Sequence, residues 1–168
     1  MNQTNHINNK FRSIRCKVIT VSDTRTEETD KSGQTMADFL IKHNHEIKEY
    51  IIIKDNMEEI VKEVMLAVED EHIDAVLLNG GTGISPRDVT IEAISPLLTK
   101  ELTGFGEIFR MLSYTEDIGS SAILSRAIAG TIKTTAVFAT PGSTGAVRLA
   151  MKKLILPELT HIVSELHK

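Results

Sequence analysis

Apolar positions recur along this chain with two periods, and the switch from one to the other marks out its elements. Ile14 to Val21 alternates polar and apolar residues before becoming the run VITV, and Glu46 to Ile53 reads as a second strand. Ala75 to Leu78 is apolar without a break, which suits a strand covered on both faces. Between these strands the period lengthens. Met36, Phe39, Leu40 and His43 recur at helical spacing after Ser32 and Gly33, as do Met57, Val61, Val64, Met65 and Val68 after Asn56, which with Glu59 predicts a capping box. Ile91, Ile94 and Leu98 predict a short helix that Pro96 kinks or closes early. Thr103-Gly104-Phe105-Gly106 reads as a flexible link to a helix marked by Ile108, Phe109, Met111 and Leu112. Ser120 to Arg126 is helix-like, and Ala127 to Ile132 and Thr135 to Ala139 read as short strands joined near Lys133 and Thr134. Two helical segments close the chain, one carrying Val147, Ala150, Met151 and Leu154. The other carries Leu159, Ile162, Val163 and Leu166 and has Pro157 in its first turn.

Strands that alternate with helices predict an α/β fold, a three-layer αβα sandwich around a mostly parallel sheet. A chain of 168 residues suits one domain, assigned to residues 11–168, behind a polar, asparagine-rich lead-in at residues 1–10 expected to be disordered. The formal net charge of -4 gives no footprint for nucleic acid, which needs clustered positive charge. A lone cysteine, Cys16, excludes an internal disulfide and a cysteine zinc site. No signal-peptide core or apolar run long enough for a membrane span is present, so the expected compartment is the cytoplasm.

The chemistry concentrates where strands give way to glycines. Ala75 to Leu78 leads into Gly80-Gly81-Thr82-Gly83, and such a loop at the end of an α/β strand brings successive N–H groups together on an anion. Asp88 follows closely. A carboxylate beside a phosphate cradle calls for a hard cation such as Mg²⁺ between them, although a tight turn with Asp88 as helix N-cap accounts for the same residues. Asp55 ends the second strand in like fashion and can share that cation with Asp88, or serve simply as a loop aspartate beside Asn56. Ser22-Asp23-Thr24 ends the first strand, where its side chains can cap the next helix or bond a ligand. The late strand runs into Pro141-Gly142-Ser143-Thr144-Gly145, again a turn opening a helix, where capping and anion binding are both open. Glu107 and Arg110 pair at i,i+3 on a solvated face or help to line a pocket.

Taken together, GGTGISPRDVT, ELTGFGEIFRMLSY, SAILSRA and ATPGSTGAV resemble the MoaB/MogA family of molybdenum-cofactor biosynthesis proteins, relatives of the G domain of gephyrin-type proteins, and the MoaB branch most closely. The resemblance runs from Val18 to Pro157. It implies binding of molybdopterin and its adenylylation with ATP and Mg²⁺, releasing pyrophosphate. It further implies a homotrimer or hexamer that works with other molybdenum-cofactor enzymes. Asp55 and Asp88 match acidic positions regarded as functional in the family, which makes them the expected catalytic and metal-binding pair. Ser22, Asp23, Thr24, Gly80, Gly81, Thr82, Gly83, Pro141, Gly142 and Ser143 are the expected ligand contacts. The competing expectation is a pterin carrier of the same pathway without turnover. A dinucleotide-dependent oxidoreductase is a weak third reading, because GGTG is not GxGxxG and lies outside the first βαβ unit, and a P-loop NTPase is weaker still because GK[ST] is absent.

Overall fold

The computed structural model describes residues 12–168; the predicted lead-in at residues 1–10 lies outside them. Six strands form one sheet: β1 (Arg15–Val21), β2 (Glu46–Ile53), β3 (Ala75–Asn79), β4 (Lys100–Glu101), β5 (Ile128–Ile132) and β6 (Thr135–Thr140), in the order β2-β1-β3-β6-β5-β4. The β1–β2, β1–β3 and β3–β6 pairs are parallel, and β5 runs antiparallel to both β6 and β4. Among the described residues the α-helices are α1 (Lys31–Lys42), α2 (Met57–Glu69), α3 (Thr90–Ile94), α4 (Thr103–Glu116), α5 (Thr144–Ala150) and α6 (Leu156–Leu166).

Side chains that alternate along each strand divide the core in two. Cys16 and Val18, Ala75 and Leu77, and Ala136 and Phe138 face one way, packing against Met36 and Leu40 of α1, Phe105 and Phe109 of α4, Val147 of α5 and Leu159 of α6. Ile19, Val76, Leu78 and Val137 face the other way, against Ile60 and Val64 of α2 and Ile94 of α3. These are the three expected layers. Cys16 is buried and its thiol pKa is pushed up, chiefly by that burial, so it is inert core.

Two local readings need correction. Thr103 to Gly106 is not a link but the first turn of α4, held by Phe105, whose ring lies 5.7 Å from Phe138 and 6.4 Å from Phe109. Packing here overrides the low helix propensity of Gly104 and Gly106. The helix-like segment near Ser120 is a 3₁₀ turn over Gly119–Leu124. The two closing helices are present as α5 and α6, with Pro157 in the first turn of α6, and a π turn at Met151–Ile155 joins them. Pro157 lacks an N–H and its ring would press on the carbonyl four residues back, and the wider turn just before it relieves that conflict. Asn56 does cap α2, its Oδ1 accepting from Glu59 N–H at 2.9 Å, and Pro96 falls in the 3₁₀ turn that closes α3. Among the described residues no helix is long and apolar enough to cross a membrane.

Asp74 anchors the start of β1. It is 2% exposed and receives the Arg15 guanidinium in bidentate fashion, at 2.9 Å on each oxygen, together with the Arg15 N–H. Burial opposes its ionisation, but the Arg15 bonds and charge prevail, and its pKa lies below the ordinary 3.8. A folded pKa below the unfolded one gives stability that is present above 3.8 and lost as pH falls through the lower folded value. We expect Asp74→Ala to cost about 2 kcal/mol at pH 7. Urea unfolding should show the difference from wild type shrinking on acidification below the ordinary aspartate range, and a difference that grew instead would contradict the assignment.

Candidate functional site

The strand order places a topological switch between β1 and β3, because the chain leaves β1 for β2 on one side and returns to β3 on the other. Ligands of open α/β sheets dock beyond the carboxyl ends of strands at such a point. An open cavity of about 570 Å³ lies there, lined by Ser22, Thr24 and Arg25 after β1, by Asp55 after β2, by Gly80 to Gly83 and Asp88 after β3, and by Pro141 and Gly142 after β6. Ser121, Leu124 and Ser125 complete its wall. The volume falls within the range of small-molecule sites, roughly 300–1,000 Å³.

The glycine loop has an uneven hydrogen-bond inventory. Its four carbonyls are all occupied: Gly80 by the Thr90 hydroxyl at 2.9 Å, Gly81 by Thr90 N–H at 2.9 Å, Thr82 by Arg126 Nε at 2.9 Å, and Gly83 by Arg126 Nη2 at 2.6 Å. Gly80 N–H is spent on the Thr140 carbonyl, whereas those of Gly81, Thr82 and Gly83 find no acceptor among the described residues. Three successive donors whose neighbouring oxygens are tied elsewhere make a cradle for an anion. Gly80 and Gly81 hold φ at +97° and +65°, the left-handed region that glycine enters freely. Gly83 has no such φ; its constraint is Asp88, because a Cβ there would stand 2.7 Å from Asp88 Oδ2.

The two aspartates flank this cradle. Asp88 Oδ2 accepts the Ser85 N–H at 3.0 Å, which fixes the carboxylate beside Gly83. Asp55 stands against Gly81, where a Cβ would meet its Oδ1 at 2.9 Å. Burial, then the carboxylates of Asp23 and Asp88, raise the Asp55 pKa above its ordinary value, against the Asp23 N–H bond and the Arg87 charge. Among the described residues no three His, Cys, Asp or Glu side chains gather to hold a metal alone. Two carboxylates that repel one another beside an anion cradle nevertheless fit Mg²⁺, which takes few protein oxygens and completes its shell with phosphate and water. The raised Asp55 pKa carries a sign: its ionised form is disfavoured in the ligand-free fold, so Asp55→Asn should raise Tm at pH 7, by about 1–2 °C. Calorimetry of the ligand-free protein checks this, and a fall in Tm would place Asp55 in a stabilising pair instead.

Two expected contacts sit differently. Asp23 lies off the cavity wall and braces Asp55, its N–H reaching Asp55 Oδ2 at 3.1 Å and its Oδ1 accepting Asp55 N–H at 3.1 Å. Ser143 is the N-cap of α5, its hydroxyl accepting from Ala146 N–H at 3.1 Å. Glu107 and Arg110 line a separate cavity of about 200 Å³ at the start of α4, which shares no residue with the first.

Sequence reading missed a buried polar cluster behind the cavity. Asn79 bonds Thr20 at 2.9 Å and receives Ser32 at 2.8 Å, and Asp30 caps α1 through Gly33 N–H at 3.0 Å while accepting the Tyr50 hydroxyl. Burial pushes the Asp30 pKa up, but the bonds from Thr20, Tyr50 and Gly33 and the Arg25 charge outweigh it, and the net shift is downward. The link from Asp30 to Tyr50, 20 positions away, leaves no local signal in the sequence.

Similarities to known proteins follow this geometry. A family profile described as "Probable molybdopterin binding domain" matches residues 17–161. The molybdenum cofactor biosynthesis protein B of Bacillus subtilis (strain 168) is 66% identical over 155 residues, covering 92% of this chain and 91% of that protein. A crystal structure of a molybdenum cofactor biosynthesis protein B aligns with a TM-score of 0.91 at 62% identity, covering 93% of this chain and 97% of the other. A solved structure of MogA aligns with a TM-score of 0.81 at 25% identity, covering 90% and 99% respectively.

Proposed function

This chain belongs to the MoaB/MogA family of molybdenum-cofactor biosynthesis proteins, and from that premise we propose that its cavity binds molybdopterin beside ATP and transfers AMP onto the pterin. The observation that carries the reading is the glycine cradle, with three N–H groups that have no partner among the described residues set between Asp55 and Asp88. In this reading the cradle takes the phosphates of ATP. An oxygen of the pterin's terminal phosphate attacks the α-phosphorus, the bond to the bridging oxygen breaks, and pyrophosphate leaves with that electron pair. The nucleophile is already anionic, so no serine, cysteine or general base is required, and the protein's work is alignment and charge compensation. Asp55 and Asp88 would hold Mg²⁺, which when bound supplies positive charge to the phosphates. Thr90 and Arg126 keep the loop carbonyls turned from the anion, and Asp23 keeps Asp55 in place.

The same reading includes the homotrimer or hexamer that the family resemblance implies. Ile108, Met111, Tyr114 and Ile118, exposed along α4 and just beyond it, are apolar surface that such an assembly would cover. ATP titration with and without Mg²⁺, in the presence of molybdopterin, tests the placement of the nucleotide. ATP should bind with Mg²⁺ and be released by EDTA, while molybdopterin stays bound. A carrier without turnover would show no magnesium-dependent nucleotide binding.

A further inference from the structure

The cavity is electrically lopsided. Among its lining residues Asp55 and Asp88 carry negative charge, and Arg25 alone carries positive charge. The two signs occupy different flanks of the glycine loop. Asp55 and Asp88 stand against Gly81 and Gly83, whereas Arg25 stands by Gly142, itself packed on Gly80: a Cβ at Gly142 would lie 3.0 Å from the Gly80 Cα and 3.9 Å from Arg25 Nη1.

Arg25 is held from behind by groups buried out of reach of any ligand. Its Nη1 meets Ser32 and lies 3.4 Å from Asp30 Oδ1, and both partners are fully buried. Its Nη2 donates to the Gly142 carbonyl at 2.8 Å, tying the turn after β6 to the loop after β1. The Nε N–H and the second N–H of Nη2 have no acceptor among the described residues. A guanidinium braced on its inner edge, with donors to spare and a place in the cavity wall, is built to receive a phosphoryl oxygen in a fixed direction.

We propose that Arg25 binds the terminal phosphate of the pterin directly, without an intervening cation, and so fixes which end of the cavity the acceptor occupies. The inference rests on the reading of the cavity as a molybdopterin and ATP site, and deepens it. The nucleotide phosphates then lie on the flank of Asp55 and Asp88, which would hold Mg²⁺, and the accepting phosphate lies on the Arg25 flank, so the two anions meet over the glycine loop with separate counter-charges. Asp30, Ser32 and Tyr50 are then positioning residues that act through Arg25.

The test compares the affinity of molybdopterin with that of its dephosphorylated form, in EDTA, for wild type, Arg25→Met and Arg25→Lys. Wild type should prefer the phosphorylated ligand by about 10–100-fold, the usual worth of a hydrogen bond between charged groups. Arg25→Met should bind both forms about equally, and Arg25→Lys should retain most of the preference. A merely structural Arg25 would weaken both ligands alike and leave the preference intact, which overturns the proposal, as does an Arg25→Met variant indistinguishable from wild type. Wild type that binds neither form would overturn the site reading itself and Arg25 with it. Should Arg25→Met fail to fold, Arg25→Gln keeps a donor for Gly142 without the charge and carries the same comparison.

Discussion

Asp55→Ala, Asp88→Ala and the double variant should lose turnover to nearly the same extent, by about 10²-fold or more, while molybdopterin affinity stays near that of wild type. Two carboxylates that serve one cation form a unit, so once either is gone the other has little left to contribute. The geometry supports a shared role: each stands against a glycine of one loop, and each is fixed by a backbone N–H, Asp88 from Ser85 at 3.0 Å and Asp55 from Asp23 at 3.1 Å. Losses that multiply would mean that the aspartates work at separate places, and Asp55 would then leave the metal site. Single-turnover rates at saturating molybdopterin separate the cases, because they are insensitive to product release.

The glycine loop gives the second large effect. Gly83→Val places a branched side chain 2.7 Å from Asp88 Oδ2 and 3.2 Å from its Cγ, so Asp88 must move from its place beside the cradle. The backbone at Gly83 is not in the left-handed region, and Asp88 is only half-buried, so the disturbance falls on the site more than on the fold. Magnesium-dependent ATP binding should drop by more than about tenfold, with a stability loss near 1 kcal/mol. Gly81→Ala should reach the fold as well as the site. It forces a side chain into φ +65° and within 2.4 Å of the Thr90 hydroxyl, and should cost about 1–3 kcal/mol of stability. Unchanged ATP binding in folded Gly83→Val would reduce the loop to a turn.

The parts of this molecule that were readable in its sequence are those whose signal is local. Alternation leading into VITV marked β1, an unbroken apolar run marked β3, helical spacing marked α1 and α2, and Asn56 and Pro96 marked boundaries that the structure keeps. The two-residue β4 at the sheet edge is too short to show a period, and the first turn of α4 looked like a loop because Phe105 finds its partner Phe138 far along the chain. The site divides in the same manner. Gly80 to Gly83, Asp55 and Asp88 sit just past strands, a position that makes them candidates but fits a turn, a cap or a loop aspartate equally well, and only the family resemblance separates these readings. Arg126 reaches Thr82 across 44 residues, and Asn79 reaches Thr20 across 59, so no spacing marks them. Arg25 carries no local signal, because what fixes it in the cavity wall is Gly142, 117 positions away.

The central claim is that this cavity joins AMP to a pterin phosphate, and one measurement bears on it most directly. Wild-type protein is incubated with molybdopterin, ATP and Mg²⁺, and the products are separated and quantified. Adenylylated molybdopterin and pyrophosphate should appear in equal amounts, both abolished by EDTA and by Asp88→Asn. Bound molybdopterin recovered unmodified, with ATP intact in the presence of Mg²⁺, would contradict it and leave the protein a carrier.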